Sequence, residues 1–152
     1  NGFLNIFVQT LKFPLKYIKY RKAMSRLMIY LESQEERIVW TSQLIDTKNF
    51  SEKERILEAR KQLVNLANAR LVITSRIHSA LPAVAFETPV LFLSDGLEHP
   101  NQKSRLEGLD SFFPIINSSE LIEWQGKQPE AKKAHLPFVK KIQKEIDTFF
   151  KD

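Results

Sequence analysis

The segment from Leu71 to Leu93 restricts the fold more than any other part of the chain. Two apolar runs, Leu71-Val72-Ile73-Thr74 and Val90-Leu91-Phe92-Leu93, flank the small-residue stretch Ala80-Leu81-Pro82-Ala83-Val84-Ala85-Phe86. Short runs rich in β-branched and aromatic residues read as strands buried on both faces, and the stretch between them has the length of a crossover helix. The expected fold class is α/β, a Rossmann-like parallel sheet with helices on both faces.

The turn between the first strand and the helix is Ser75-Arg76-Ile77-His78-Ser79. In an open α/β sheet this turn lies at the carboxyl end of a strand, where ligands bind. Pro82 sets the helix start near His78 or Ser79, because proline fits the first helical turn. The first N–H groups of a helix lack intrahelical partners, and the helix dipole adds partial positive charge there. Arg76 contributes a forked, permanent cation, and His78 a group that donates, accepts or changes charge. The combination suits a phosphate or a carboxylate. The plainer alternative is a structural salt bridge from Arg76 and a helix cap from His78. Ser75 and Ser79 lie beside His78, but no glycine elbow surrounds either serine, so no serine-nucleophile triad is assembled.

Thr74-Ser75-Arg76-Ile77-His78-Ser79-Ala80-Leu81-Pro82-Ala83, followed by Ala85-Phe86-Glu87-Thr88-Pro89-Val90, resembles the C-terminal signature of the polysaccharide pyruvyl transferase family. The similarity extends to Ser51–Arg70 upstream and to Arg105-Leu106-Glu107-Gly108-Leu109 downstream. The resemblance implies the C-terminal half of a two-domain GT-B-type enzyme, with an N-terminal domain missing from this chain. It implies transfer of an enolpyruvyl group from phosphoenolpyruvate to a sugar hydroxyl of an exopolysaccharide or cell-surface polysaccharide, giving a pyruvate ketal. Arg76 and His78 match the family's donor-binding and catalytic positions. Glu87 departs from the pattern, since the family usually has glycine there, and a carboxylate facing the site would oppose an anionic donor.

Upstream, Arg37-Ile38-Val39-Trp40-Thr41 reads as a strand, and the residues after it, including Gln43 and Asp46, as cleft-lining contacts. Ser51-Glu52-Lys53-Glu54 is a capping box opening a helix to about Ala67, with Asn68 as its stop. Ile56, Ala59, Leu63, Leu66 and Ala67 form its expected buried stripe. Strand 37–41, this helix and strand 71–74 make one β-α-β unit, and the helix and strand after the turn make the next.

Downstream, Ser94–Ser104 reads as a lid or an ordinary surface loop. Lys103 and Arg105 are expected to close over an anion, Asp95 to contact substrate hydroxyls, and His99 to be a weaker candidate. Phe112–Ile116 reads as a last strand, held at an edge by Pro114. Ser118 is expected to cap a short helix through Trp124. Glu130–Phe150 is helical, restarting at Pro137, with Phe138, Ile142, Ile146 and Phe149/Phe150 as a buried stripe.

The 152 residues divide, on this reading, into a basic amphipathic segment (1–33), a Rossmann-like core (34–118) and C-terminal helices packed on it (119–152). The net charge of +5 is an N-terminal property. The first 31 residues carry six basic side chains and no acid, and the remainder seventeen basic against eighteen acidic. Asn1–Phe13 reads as strand or helix, and Pro14 opens a helix to about Leu31. That helix is read first as packed on a partner domain, and second as docking on an anionic membrane. A cytoplasmic location, with peripheral membrane contact through this helix, is the matching expectation.

The chain has no cysteine, which rules out disulfides and thiolate chemistry, and no histidine–carboxylate cluster has metal spacing. Glycine fingerprints for dinucleotides, a Walker lysine motif and nucleic-acid motifs are absent, and no cofactor is expected. Two other functions compete with pyruvyl transfer. One is a GT-B glycosyltransferase half binding a nucleotide sugar. The other is a non-catalytic scaffolding module working through the basic N-terminal helix.

Overall fold

The computed structural model describes residues 2–42 and 50–150, with side chains in the first helix from Tyr17 onward. The fold is α/β. Five α-helices are described: α1 (Gly2–Glu32), α2 (Glu52–Asn68), α3 (Ile77–Ala85), α4 (Pro100–Lys103) and α5 (Leu136–Phe149). Three strands, β1 (Val72–Thr74), β2 (Val90–Leu93) and β3 (Ile115–Ile116), form a sheet in the order β1-β2-β3. β1 and β2 are parallel, with Val72 opposite Val90 and Thr74 opposite Phe92. The Phe92 N–H donates to the Pro114 carbonyl and the Ser94 N–H to the Ile116 carbonyl, so β3 runs parallel as well. Among the described residues β3 is an edge of the sheet, and it begins only after Pro114, so Phe112, Phe113 and Pro114 of the expected strand lie outside it.

The chain divides into two compact units, one of residues 1–38, 93–107 and 116–127, the other of residues 39–92, 108–115 and 128–152. The second unit holds the β1-α3-β2 crossover. Its core consists of Val72, Ala80, Ala83, Val84, Val90, Leu91, Phe92 and Phe113, all buried. Alanines at 80 and 83 let α3 approach closely, and the Phe92 and Phe113 rings stack with centroids 5.6 Å apart. Thr88 and Pro89 are structural: the buried Thr88 hydroxyl donates to the Leu66 carbonyl at the end of α2, and the Pro89 carbonyl accepts from the Val72 N–H.

α2 begins as the sequence predicts. The Ser51 hydroxyl accepts from the Glu54 N–H, and the Glu54 carboxylate accepts from the Ser51 N–H. Its expected buried stripe is a correction. No residue of α2 is buried, and Ile56, Leu63, Ala59 and Ala67 are exposed. Helical spacing selects the apolar face but does not supply a surface to cover it. Residues 37–41 are a second correction. They form no strand, so among the described residues β1 is the other edge. Trp40 stands 61% exposed, and β propensity without a pairing edge does not make a strand. Gln43 and Asp46 lie outside the described residues.

In the first unit, α1 is continuous from Gly2 and includes Pro14, where a start was expected. α1 and the 3₁₀ segment Ser118–Trp124 bury Tyr30, Ser118 and Leu121. Asn117, not Ser118, caps that segment, with Glu120 completing the capping box. The Tyr30 hydroxyl is buried without a hydrogen-bond partner among the described residues. Removing it with Tyr30→Phe should stabilise the fold by about 1 kcal/mol in a urea titration. Burial also pushes the Tyr30 phenol above its ordinary 10.0. The folded form therefore keeps its stability below that pH and loses it as pH rises past it.

Candidate functional site

The turn after β1 is built by its own side chains. The Thr74 hydroxyl accepts from the Arg76 N–H at 3.0 Å, a local bond that turns the chain out of the strand. Arg76 is the N-cap of α3, extended at φ −114° and ψ 118°. Its carbonyl accepts from the N–H groups of Ser79 and Ala80, each at 3.0 Å. The N–H groups of Ile77 and His78 have no partner among the described residues, and they carry the positive end of the helix dipole. The helix therefore starts one to two residues before the expected position.

Pro82 is a correction with the same cause. It sits in the second turn, counting Ile77 as the first helical residue, where it cannot donate to the His78 carbonyl. The missing bond is tolerated in a nine-residue helix whose far turns are held by the buried Ala80, Ala83 and Val84.

Ser75, Arg76 and His78 are exposed, and Ser79 is half-buried. The side chains of Arg76 and His78 form no hydrogen bond or ion pair among the described residues. The alternative of a structural salt bridge from Arg76 thus has no counter-charge there. One turn carries an exposed guanidinium, an exposed imidazole and two backbone amides without partners among the described residues. Chemically, a cation, an imidazole and unpartnered amides on one turn are the groups that charge-assisted hydrogen bonding to an anion requires.

Glu87 lies at the other end of α3. The Thr88 N–H donates to the Ala83 carbonyl and the Glu87 N–H to the Val84 carbonyl, both at 2.9 Å, which is a Schellman ending. Glu87 takes the left-handed conformation, φ 57°, that glycine adopts without strain. Its carboxylate pairs with the Lys133 ammonium at 2.7 Å. The negative charge is therefore at the opposite end of the nine-residue α3 from Arg76 and His78, and the expected opposition to an anion does not arise from it.

The hydrogen bond and charge of Lys133 hold the Glu87 carboxyl below its ordinary 4.5. Its contribution is present above that pH and is lost as pH falls through the lowered value. Glu87→Gly should raise the thermal midpoint by a few degrees near neutral pH, because relief of the backbone outweighs an exposed ion pair.

The remaining candidates belong to the first unit. Asp95 is committed: its carboxylate accepts from both the N–H and the hydroxyl of Ser118, each at 2.7 Å. Arg26 reaches the same Ser118 hydroxyl at 3.4 Å. Asp95 thus anchors the Ser118–Trp124 segment, a role that a lone loop aspartate does not announce in sequence. Lys103 ends α4 and Arg105 lies in the 3₁₀ turn after it, both exposed. The His99 imidazole caps α4 by accepting from the Asn101 N–H. No group of three metal-capable side chains exists among the described residues. The Ile77 and His78 amides were invisible as residue types; only the strand-to-helix transition signals them.

No protein-family model, curated protein or solved structure matches this chain.

Proposed function

We propose that the chain is the donor-binding part of a polysaccharide pyruvyl transferase. Its site takes phosphoenolpyruvate at the N-terminus of α3, and a second α/β half supplies the saccharide acceptor. The observation that carries the reading is the pair of exposed, unengaged side chains, Arg76 and His78, beside the unpartnered Ile77 and His78 amides. Arg76 holds the donor's carboxylate or phosphate bidentately, as only a guanidinium does. His78 supplies a proton or stabilises the departing phosphate, with the helix terminus adding fixed positive potential. Ser75 and Ser79 flank the same turn, and their role in this reading is to adjust donor orientation.

A nucleotide-sugar diphosphate is the competing ligand for the same amides. A thermal-shift titration separates them. Phosphoenolpyruvate should raise the midpoint saturably, and Arg76→Ala should remove the rise. A rise with nucleotide sugars and none with phosphoenolpyruvate would transfer the site to a glycosyltransferase. No described helix is long and apolar enough to cross a membrane.

A further inference from the structure

α1 carries six cations and no carboxylate from Gly2 to Leu31, and Glu32 is its last residue. Five of the six cations fall within the eleven residues Lys16–Arg26. Every residue from Tyr17 to Lys22 is exposed, Tyr17 at 55% and Tyr20 at 61%, so the helix meets solvent on all sides there. At about 100° per residue, Leu27, Tyr20, Leu31, Met24, Tyr17 and Met28 make an apolar stripe about 100° wide. Arg21 falls about 20° beyond one margin of the stripe and Lys16 about 20° beyond the other, with Lys12, Lys19, Lys22 and Arg26 behind. Arg21 and Lys22 form no hydrogen bond or ion pair among the described residues. Lys19 meets Glu98 at 3.2 Å, but both side chains are more than half exposed and water screens the pair. The C-terminal part of α1 is anchored in its own unit by the buried Tyr30. α5 differs: it exposes Phe138, Ile142, Ile146 and Phe149 where a buried stripe is expected, but Glu145 and Asp147 lie among its three lysines.

We infer that α1 is an interfacial helix that lies on a membrane surface bearing anionic phospholipid. Charge of one sign along the whole helix selects this occupant. Arg21 and Lys16 border the stripe, where long side chains reach headgroups while their stems cover apolar surface. A helix is about 10 Å across, so even the cations behind the stripe lie within roughly one Debye length of the headgroups. Tyrosine suits the boundary layer, since its ring is apolar and its hydroxyl is wet. Eight of the fourteen residues Gly2–Leu15 are Phe, Leu, Ile or Val, with Lys12 the one cation among them. Lys12 and Lys16 interrupt that apolar run, which fits it to the surface of a bilayer and not to its interior. A nucleic acid would take the cations but leave Leu27, Met24 and Met28 without an apolar partner. A second copy of α1 would set cations against cations. The inference is independent of the donor site on α3.

The test is vesicle flotation of the whole chain with phosphatidylglycerol-containing and pure phosphatidylcholine vesicles, at low and high salt. Binding should occur with the anionic vesicles, weaken with salt, and fall at least tenfold in Arg21→Glu/Lys22→Glu and in Tyr17→Ser/Tyr20→Ser. These four side chains are exposed, and unchanged thermal unfolding of both variants establishes that they fold. Lys140→Glu/Lys144→Glu in α5 removes as much charge as the first variant and should keep binding within about twofold. Failure of the chain to float, equal flotation on neutral vesicles, or undiminished binding by the α1 variants would overturn the inference. So would an equal loss in the α5 variant, which would reduce the effect to net charge. An α1-dependent dimer that forms without vesicles and does not float would overturn it as well.

Discussion

Arg76→Ala is expected to weaken phosphoenolpyruvate binding by about ten- to a hundredfold, the loss of one charge-assisted, bidentate contact. The change removes no hydrogen bond or ion pair of the fold, since the Arg76 side chain has none among the described residues. Thermal unfolding without ligand should therefore be unaltered. Arg76→Lys should recover only part of the affinity, because an ammonium cannot engage two oxygens in a fixed plane. His78→Ala should act differently. Donor affinity falls modestly, while the transfer rate of the enzyme that carries this chain falls by about a hundredfold or more. Calorimetric titration reads the first pair of effects, and phosphate release in the presence of acceptor reads the second. Equal losses of affinity in both variants, with no separate loss of rate, would reduce His78 to a binding residue.

The second large effect lies beneath the site. Phe92→Ala should cost about 3–5 kcal/mol, which is a large share of the stability of a domain this size. Phe92 is fully buried, stacks on Phe113 and pairs in register with Thr74. Thr74 is also the residue whose hydroxyl sets the Arg76 turn. A cavity at Phe92 therefore loosens the strand that presents the site. Urea unfolding followed by circular dichroism should show a much lower midpoint or no cooperative transition. Phe92→Leu should be milder, because it leaves less empty volume.

The parts legible in the sequence are those governed by local rules. Ser51 and Glu54 announce their capping box because both partners lie within one turn. The β1-α3-β2 crossover is legible because β2, buried at Val90, Leu91 and Phe92, has an unbroken apolar signature, and β1 has the same composition although only Val72 of it is buried. Pro114 marks where the expected Phe112–Ile116 strand is cut back to Ile115–Ile116, which is an edge among the described residues. What the sequence obscures depends on contacts far apart in the chain. Residues 37–41 have strand composition, yet among the described residues no neighbour pairs with them. The apolar stripes of α2 and α5 are real, but periodicity cannot tell whether anything covers them, and both stand exposed. Asp95 resembles a substrate ligand until Ser118, distant in sequence, occupies both its oxygens. The glycine expected at position 87 and the observed left-handed Glu87 describe one geometric requirement, met here by a strained residue.

Amide-resolved NMR during a phosphoenolpyruvate titration tests the anion pocket most directly. The Ile77 and His78 amide resonances should move first and saturate together, and Arg76→Ala should abolish both shifts. Movements scattered over the lysine-rich surface, or Ile77 and His78 shifts that survive Arg76→Ala, would contradict a donor site at the start of α3.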